Sequence, residues 1–141
     1  MTPGSDSELD ISQVVAFWTI EAEEALRVAE HLVEKADYSY ALFFGHLAVE
    51  KILKALYVFR QGQHAPPLHN LVRLARVADL NVDEKAAEKL AIVSAFNLEA
   101  RYPDFKRSFR EICTPDYTAQ QMSMIKELMQ WLRSQLPSSV A

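Results

Sequence analysis

The stretch DYSYALFFGHLAVEKILKALYVFR, residues 37–60, decides the reading of the fold. Its apolar side chains, among them Ala41, Leu42, Phe44, Leu47, Val49, Ile52, Leu53, Leu56 and Phe59, wrap nearly the whole circumference of a helix. A helix apolar on almost every side belongs in the middle of a bundle. Asp37 is a suitable N-cap for it. Gly62 and the Pro66-Pro67 pair make residues 61–67 a loop.

Working outward, Ile11, Val15, Trp18, Ala22, Ala25, Ala29, Leu32 and Ala36 recur in steps of three and four. That is one face of a long amphipathic helix, with Glu21, Glu23, Glu24, Glu30 and Glu34 mostly on its solvated side. Residues 68–78 read as a short helix, and Asp83 caps a following one that runs to about residue 100. Pro103 and Pro115 bracket a segment that periodicity leaves unassigned. Thr118 to Gln121 has the form of a capping box. Met122, Ile125, Met129, Leu132 and Leu136 then stripe a last helix that Pro137 ends. The expected fold is all-α, an up-and-down bundle of four main helices plus one short helix. It occupies residues 11–137, between a flexible tail over 1–10 and a flexible end over 138–141.

Composition agrees with one compact domain. The chain has 141 residues, half of them apolar, and only three glycines. Its 19 acids outnumber 15 bases, which argues against coating an extended DNA duplex. Cys113 stands alone, so it closes no internal disulfide, and no signal-like start is present; the expectation is a cytoplasmic protein with no membrane partner. There is no phosphate loop of the GxxxxGKS/T or GxGxxG kind. His46 and Glu50 could share a metal, but nothing nearby completes a ligand set, so neither a metal nor a cofactor is expected.

Three polar features stand out. Ser39, His46, Glu50 and Lys54 fall within an arc of roughly 60° on the central helix, with His46–Glu50 and Glu50–Lys54 as i,i+4 pairs. This is either a solvent-facing stripe or the polar wall of a cleft. Asn97 and Arg101, in a helix running to residue 100, project to the side of Leu90 and Val93. An arginine there must be paired, for instance with Asp104, or must line a cavity. Finally, RYPDFKRSFR at residues 101–110 sets four bases against one acid and interleaves Tyr102, Phe105 and Phe109. Guanidinium groups bind phosphate and aromatic rings stack on bases, although Phe105 and Phe109 also suit a core.

Taken in order, AVEKILKAL (residues 48–56), LHNL (68–71) and RYPD (101–104) resemble the HEPN domain family. The resemblance covers nearly all of the chain after the tail. It implies a helical bundle acting as a homodimer, a nucleotide or RNA ligand, and a small nucleotidyltransferase partner in a toxin–antitoxin-like pair. In active members a metal-independent ribonuclease site uses an Arg-x4–6-His motif. Here the positions so spaced from Arg101 hold Lys106, Arg107 and Ser108, and no histidine follows His69.

The resemblance therefore implies a binding module. Arg101, Lys54 and Lys106 would hold phosphate, with Glu50, His69, Asn70, Tyr102 and Asp104 around them. His46, where the family more often shows glutamine, and Lys106 are the candidates for a degenerate ribonuclease beside Arg101. A bundle that docks a protein without touching nucleotide is the third reading.

Overall fold

The structure, a computed structural model, describes residues 9–138. The expected tail over 1–10 and end over 138–141 lie mostly outside the described residues. Six α-helices and one 3-10 turn follow in order, and no strand occurs among the described residues. They are α1 (Ile11–Glu34), α2 (Tyr38–Gln61), α3 (Leu71–Val77), α4 (Glu84–Ser94), the 3-10 turn Leu98–Ala100, α5 (Pro103–Ile112) and α6 (Pro115–Arg133).

Helix α2 is the axis of the bundle, packed by α1 along its length and by α6, α3 and α4 on its other sides. Ala41, Leu42, Ala48, Val49, Ile52, Leu53, Ala55, Leu56 and Val58 are all fully buried. Ala22, Ala25 and Ala29 are the buried residues along the middle of α1, and side chains this small let two long helices run close together. Gly45 does the same for α6: a Cβ there would stand 2.6 Å from the Cδ1 of buried Ile125. Phe43 is buried, and Phe44, Leu47 and Tyr57 pack against the core. The large apolar side chains left outside include Phe17 and Ile20 on α1, 54% and 62% exposed.

Helix ends follow local chemistry. Asp10, Asn70, Asp83 and Thr114 each accept a hydrogen bond from the backbone N–H three residues on. Helix α1 stops at Glu34 because Ala36 turns left-handed (φ 61°), letting Asp37 N–H reach the Leu32 carbonyl. Asp79 ends α3 in the same way, with φ 62°.

Several boundaries depart from the sequence expectation: α3 begins at Leu71 instead of residue 68, and α6 ends at Arg133, short of Leu136 and Pro137. Helix α4 ends at Ser94, not near residue 100. Phe96 and Leu98 are both buried, and side chains two apart point roughly 200° away from each other on a helix. The chain therefore leaves the helix to sink both. The cap of α6 is Thr114, followed by Pro115 at the first helical position, where a missing N–H costs nothing. Thr118 is fully buried inside the helix and caps nothing. The unassigned segment between the prolines forms α5, held by Phe109 against Phe96 at 5.4 Å between ring centroids.

Candidate functional site

The stripe on α2 is buried, which removes the solvent-facing reading. His46 is fully buried, while Glu50 and Lys54 are 5% and 8% exposed. Glu50 is the hub. Its carboxylate forms an ion pair with Lys54 Nζ at 3.1 Å and lies 3.2 and 3.3 Å from His69 Nδ1, on the approach to α3. His46 Nε2 is 3.7 Å from Glu50 Oε1 and 3.5 Å from the His69 carbonyl oxygen. With two acceptors near Nε2, that nitrogen carries the proton. Nδ1 is then a bare lone pair, and no donor among the described residues reaches it. Burial holds the His46 imidazole below its ordinary pKa, opposed by the Glu50 charge. Lys54 Nζ also lies 5.3 Å from the centre of the Trp18 ring on α1. Its charge is thus enclosed between a carboxylate and an aromatic face.

Arg101 sits differently from the sequence expectation. Because α4 ends at Ser94, Arg101 is not on a core-facing helix side; it is an exposed residue in extended backbone (φ −114°, ψ 149°). Tyr102 continues the extended run (φ −75°, ψ 159°), as the residue directly before Pro103 favours. The Arg101 guanidinium lies 4.6 Å from the centre of the Phe105 ring. No carboxylate among the described residues is within ion-pair distance of it, Asp104 and Glu50 included.

A cleft of about 310 Å³ brings His69, Asn70, Asn97 and Arg101 together, with Ser94 also in its lining. Ser94 Oγ accepts from Leu71 N–H at 2.8 Å and so pins α3 to α4 behind the cleft. Asn70 Oδ1 accepts from Arg73 N–H, which leaves its amide NH2 group as the donor it can offer. Tyr102 is 84% exposed. Lys106 lines a different cleft, with Ser39, Tyr40, Arg107 and Arg110. The structure therefore joins Arg101, His69 and Asn70 directly and sets Glu50 and Lys54 behind them. It leaves His46 enclosed and Lys106 next door.

Sequence reasoning missed the Trp18 contact and the role of Ser94. Trp18 reads as one more apolar residue of α1, and its register against Lys54 exists only once two helices are paired.

The sequence matches the HEPN domain over residues 15–135. The chain belongs to the HEPN domain family. A solved structure from Thermus thermophilus, described as the crystal structure of TT1696, superposes with a TM-score of 0.72 at 24% sequence identity. That likeness covers 86% of this chain and 98% of the other, and it speaks for the HEPN fold alone. No curated protein matches the sequence. Among the described residues, no helix is long and apolar enough to cross a membrane.

Proposed function

We propose that this HEPN domain is a cytoplasmic homodimer that binds a nucleotide or RNA phosphate without cleaving it. We further propose that it acts with a small nucleotidyltransferase in a toxin–antitoxin-like pair. One observation carries the binding reading: Arg101 stands exposed in a polar cleft, with Asn70 and Asn97 beside it and no carboxylate of the described residues within ion-pair distance. A guanidinium so placed, braced on one face by Phe105, offers its fork of N–H donors to phosphate oxygens. His69 contributes an imidazole fixed by Glu50, whose own charge Lys54 offsets. Tyr102 supplies an exposed ring for a base, and Asp104 follows on the first turn of α5, outside the lining of the cleft. Lys106 extends the positive surface beyond the cleft.

The Phe17–Ile20 patch supports the dimer, since large apolar side chains left exposed on a helix favour a partner face. Phe43, Phe44, Leu47 and Tyr57, which suggest the same from sequence, are taken up within the chain.

The ribonuclease reading has one observation in its favour, and it moves the candidate. Fully buried His46 cannot touch a ligand, and Lys106 does not share the Arg101 cleft. His69 does share it, with a carboxylate on Nδ1 in the manner of an oriented general base. Titrating purified protein with nucleotides and short single-stranded RNA, while scoring cleavage in chelator, separates the readings. Binding without turnover is expected. Turnover lost in His69→Ala would establish the enzyme, and no binding at all would leave the docking module.

A further inference from the structure

A second cleft, of about 170 Å³, lies between the first turn of α2 and the outer face of α5. Ser39 and Tyr40 line it from α2; Pro103, Lys106, Arg107 and Arg110 line it from α5. In a chain of net charge −4, three cations converge on one small hollow. Lys106 and Arg110 are an i,i+4 like-charge pair, an arrangement that costs a helix stability unless something answers it. Among the described residues no carboxylate answers: none of the three cations takes part in an ion pair.

The α2 wall is equally unanswered. Asp37 stands at the N-cap, yet its side chain makes no hydrogen bond to the helix, unlike the caps of α1, α3, α4 and α6. The first-turn N–H groups of a 24-residue helix are therefore left without a side-chain acceptor. Ser39 is 5% exposed and lines the cleft, to which it offers a hydroxyl donor. A helix N-terminus without a side-chain cap, a hydroxyl lining the cleft and three cations outside any ion pair among the described residues thus meet at one place.

We propose that this cleft is a phosphate site in its own right and takes a terminal phosphate monoester. A monoester carries roughly two negative charges near neutral pH and three strong acceptor oxygens, against one charge on a phosphodiester. Three cations and a helix N-terminus match the dianion. The chain order also places the two clefts on either side of one turn. Asn97, Ala100 and Arg101 line the first, Leu98 and Pro103 line the second, and Tyr102 lies between them in sequence. A short phosphorylated strand would set its terminal phosphate at Arg107 and Arg110 and an internal one at Arg101. This last arrangement rests on the binding reading of Arg101; the phosphate site itself does not.

Two measurements on the full chain test the proposal. In the first, inorganic phosphate is titrated while backbone amide resonances are followed by NMR. Saturable shifts at Ser39, Tyr40 and Arg107 are expected in the wild type and absent in Arg107→Ala/Arg110→Ala, whose substituted side chains are exposed. Absent shifts in the wild type, or shifts that survive the double substitution, overturn the site. In the second, short single-stranded RNA with a 5′-phosphate is compared with the 5′-hydroxyl form by fluorescence polarisation. The phosphorylated form should bind about tenfold tighter, a gain on the scale of new charge-assisted hydrogen bonds. The double variant should erase that ratio, and Arg101→Ala should weaken both forms while preserving it. Equal binding of the two forms overturns the monoester assignment. If neither RNA binds but phosphate still titrates, the phosphate site stands and the Arg101 reading falls.

Discussion

His69 Nδ1 lies 3.2 Å from Glu50 Oε1 across 19 residues of chain, so the cleft's one exposed imidazole is held by a carboxylate buried in the central helix. This contact ties ligand-facing chemistry to the ion system of the core.

Arg101→Ala should leave thermal stability nearly unchanged, because the side chain is exposed and its contact with Phe105 contributes at most about 1 kcal/mol. The same substitution should weaken nucleotide or RNA binding about tenfold or more in a calorimetric titration. A large drop in melting temperature with affinity intact would end the functional case for this residue.

Lys54→Met should destabilise the fold by about 3 kcal/mol, since it leaves the Glu50 carboxylate buried without its ammonium partner. Replacing both residues by apolar ones of similar volume should recover most of that loss. Urea denaturation of the two variants reads the difference directly.

Stability should fall on acidification through His46. Its folded pKa is depressed by burial below the ordinary 6.5, so between the two values the unfolded chain binds the extra proton. The His46 contribution is complete above the unfolded pKa. It declines as pH drops below about 6.5, by up to ~1.4 kcal/mol per pH unit, until the folded pKa is reached. His46→Gln should remove that part of the slope in denaturation curves taken from neutral to mildly acidic pH. Equal slopes in both proteins would refute the assignment.

Ala36→Gly should raise stability by about 0.5–1 kcal/mol, because φ 61° strains any residue with a Cβ and suits glycine at a helix terminus. Denaturant midpoints measure it, and a fall in midpoint would refute it.

The bundle was legible because α2 is apolar around nearly all of its girth and α1 along one face, and burial of that much surface leaves few arrangements. Asp83 marked a start that local chemistry alone sets, whereas Pro137 did not mark the end of α6, which stops at Arg133. The α4 boundary was not legible: Ala95 and Phe96 extend the helical rhythm, and only burial of both Phe96 and Leu98 breaks it. Arg101 was identified as a candidate for a reason that failed, since it does not face a core. Its place beside His69 depends on α3 and α4 being pinned through Ser94, a contact between residues 23 apart. The polar arc on α2 was visible as an arc, but whether it met water or Trp18 was decided by helix pairing.

Helix α5 buries one of its own residues, Phe109, and carries Lys106, Arg107 and Arg110 on its other faces. An element held by so few apolar contacts opens at lower free energy than the helix it leans on. Amide hydrogens of residues 105–112 should therefore exchange through a sub-global opening, ahead of those in α2, which wait for global unfolding. Occupying the positive surface would close that gap, so the bound state should be recorded as slowed exchange confined to this one segment.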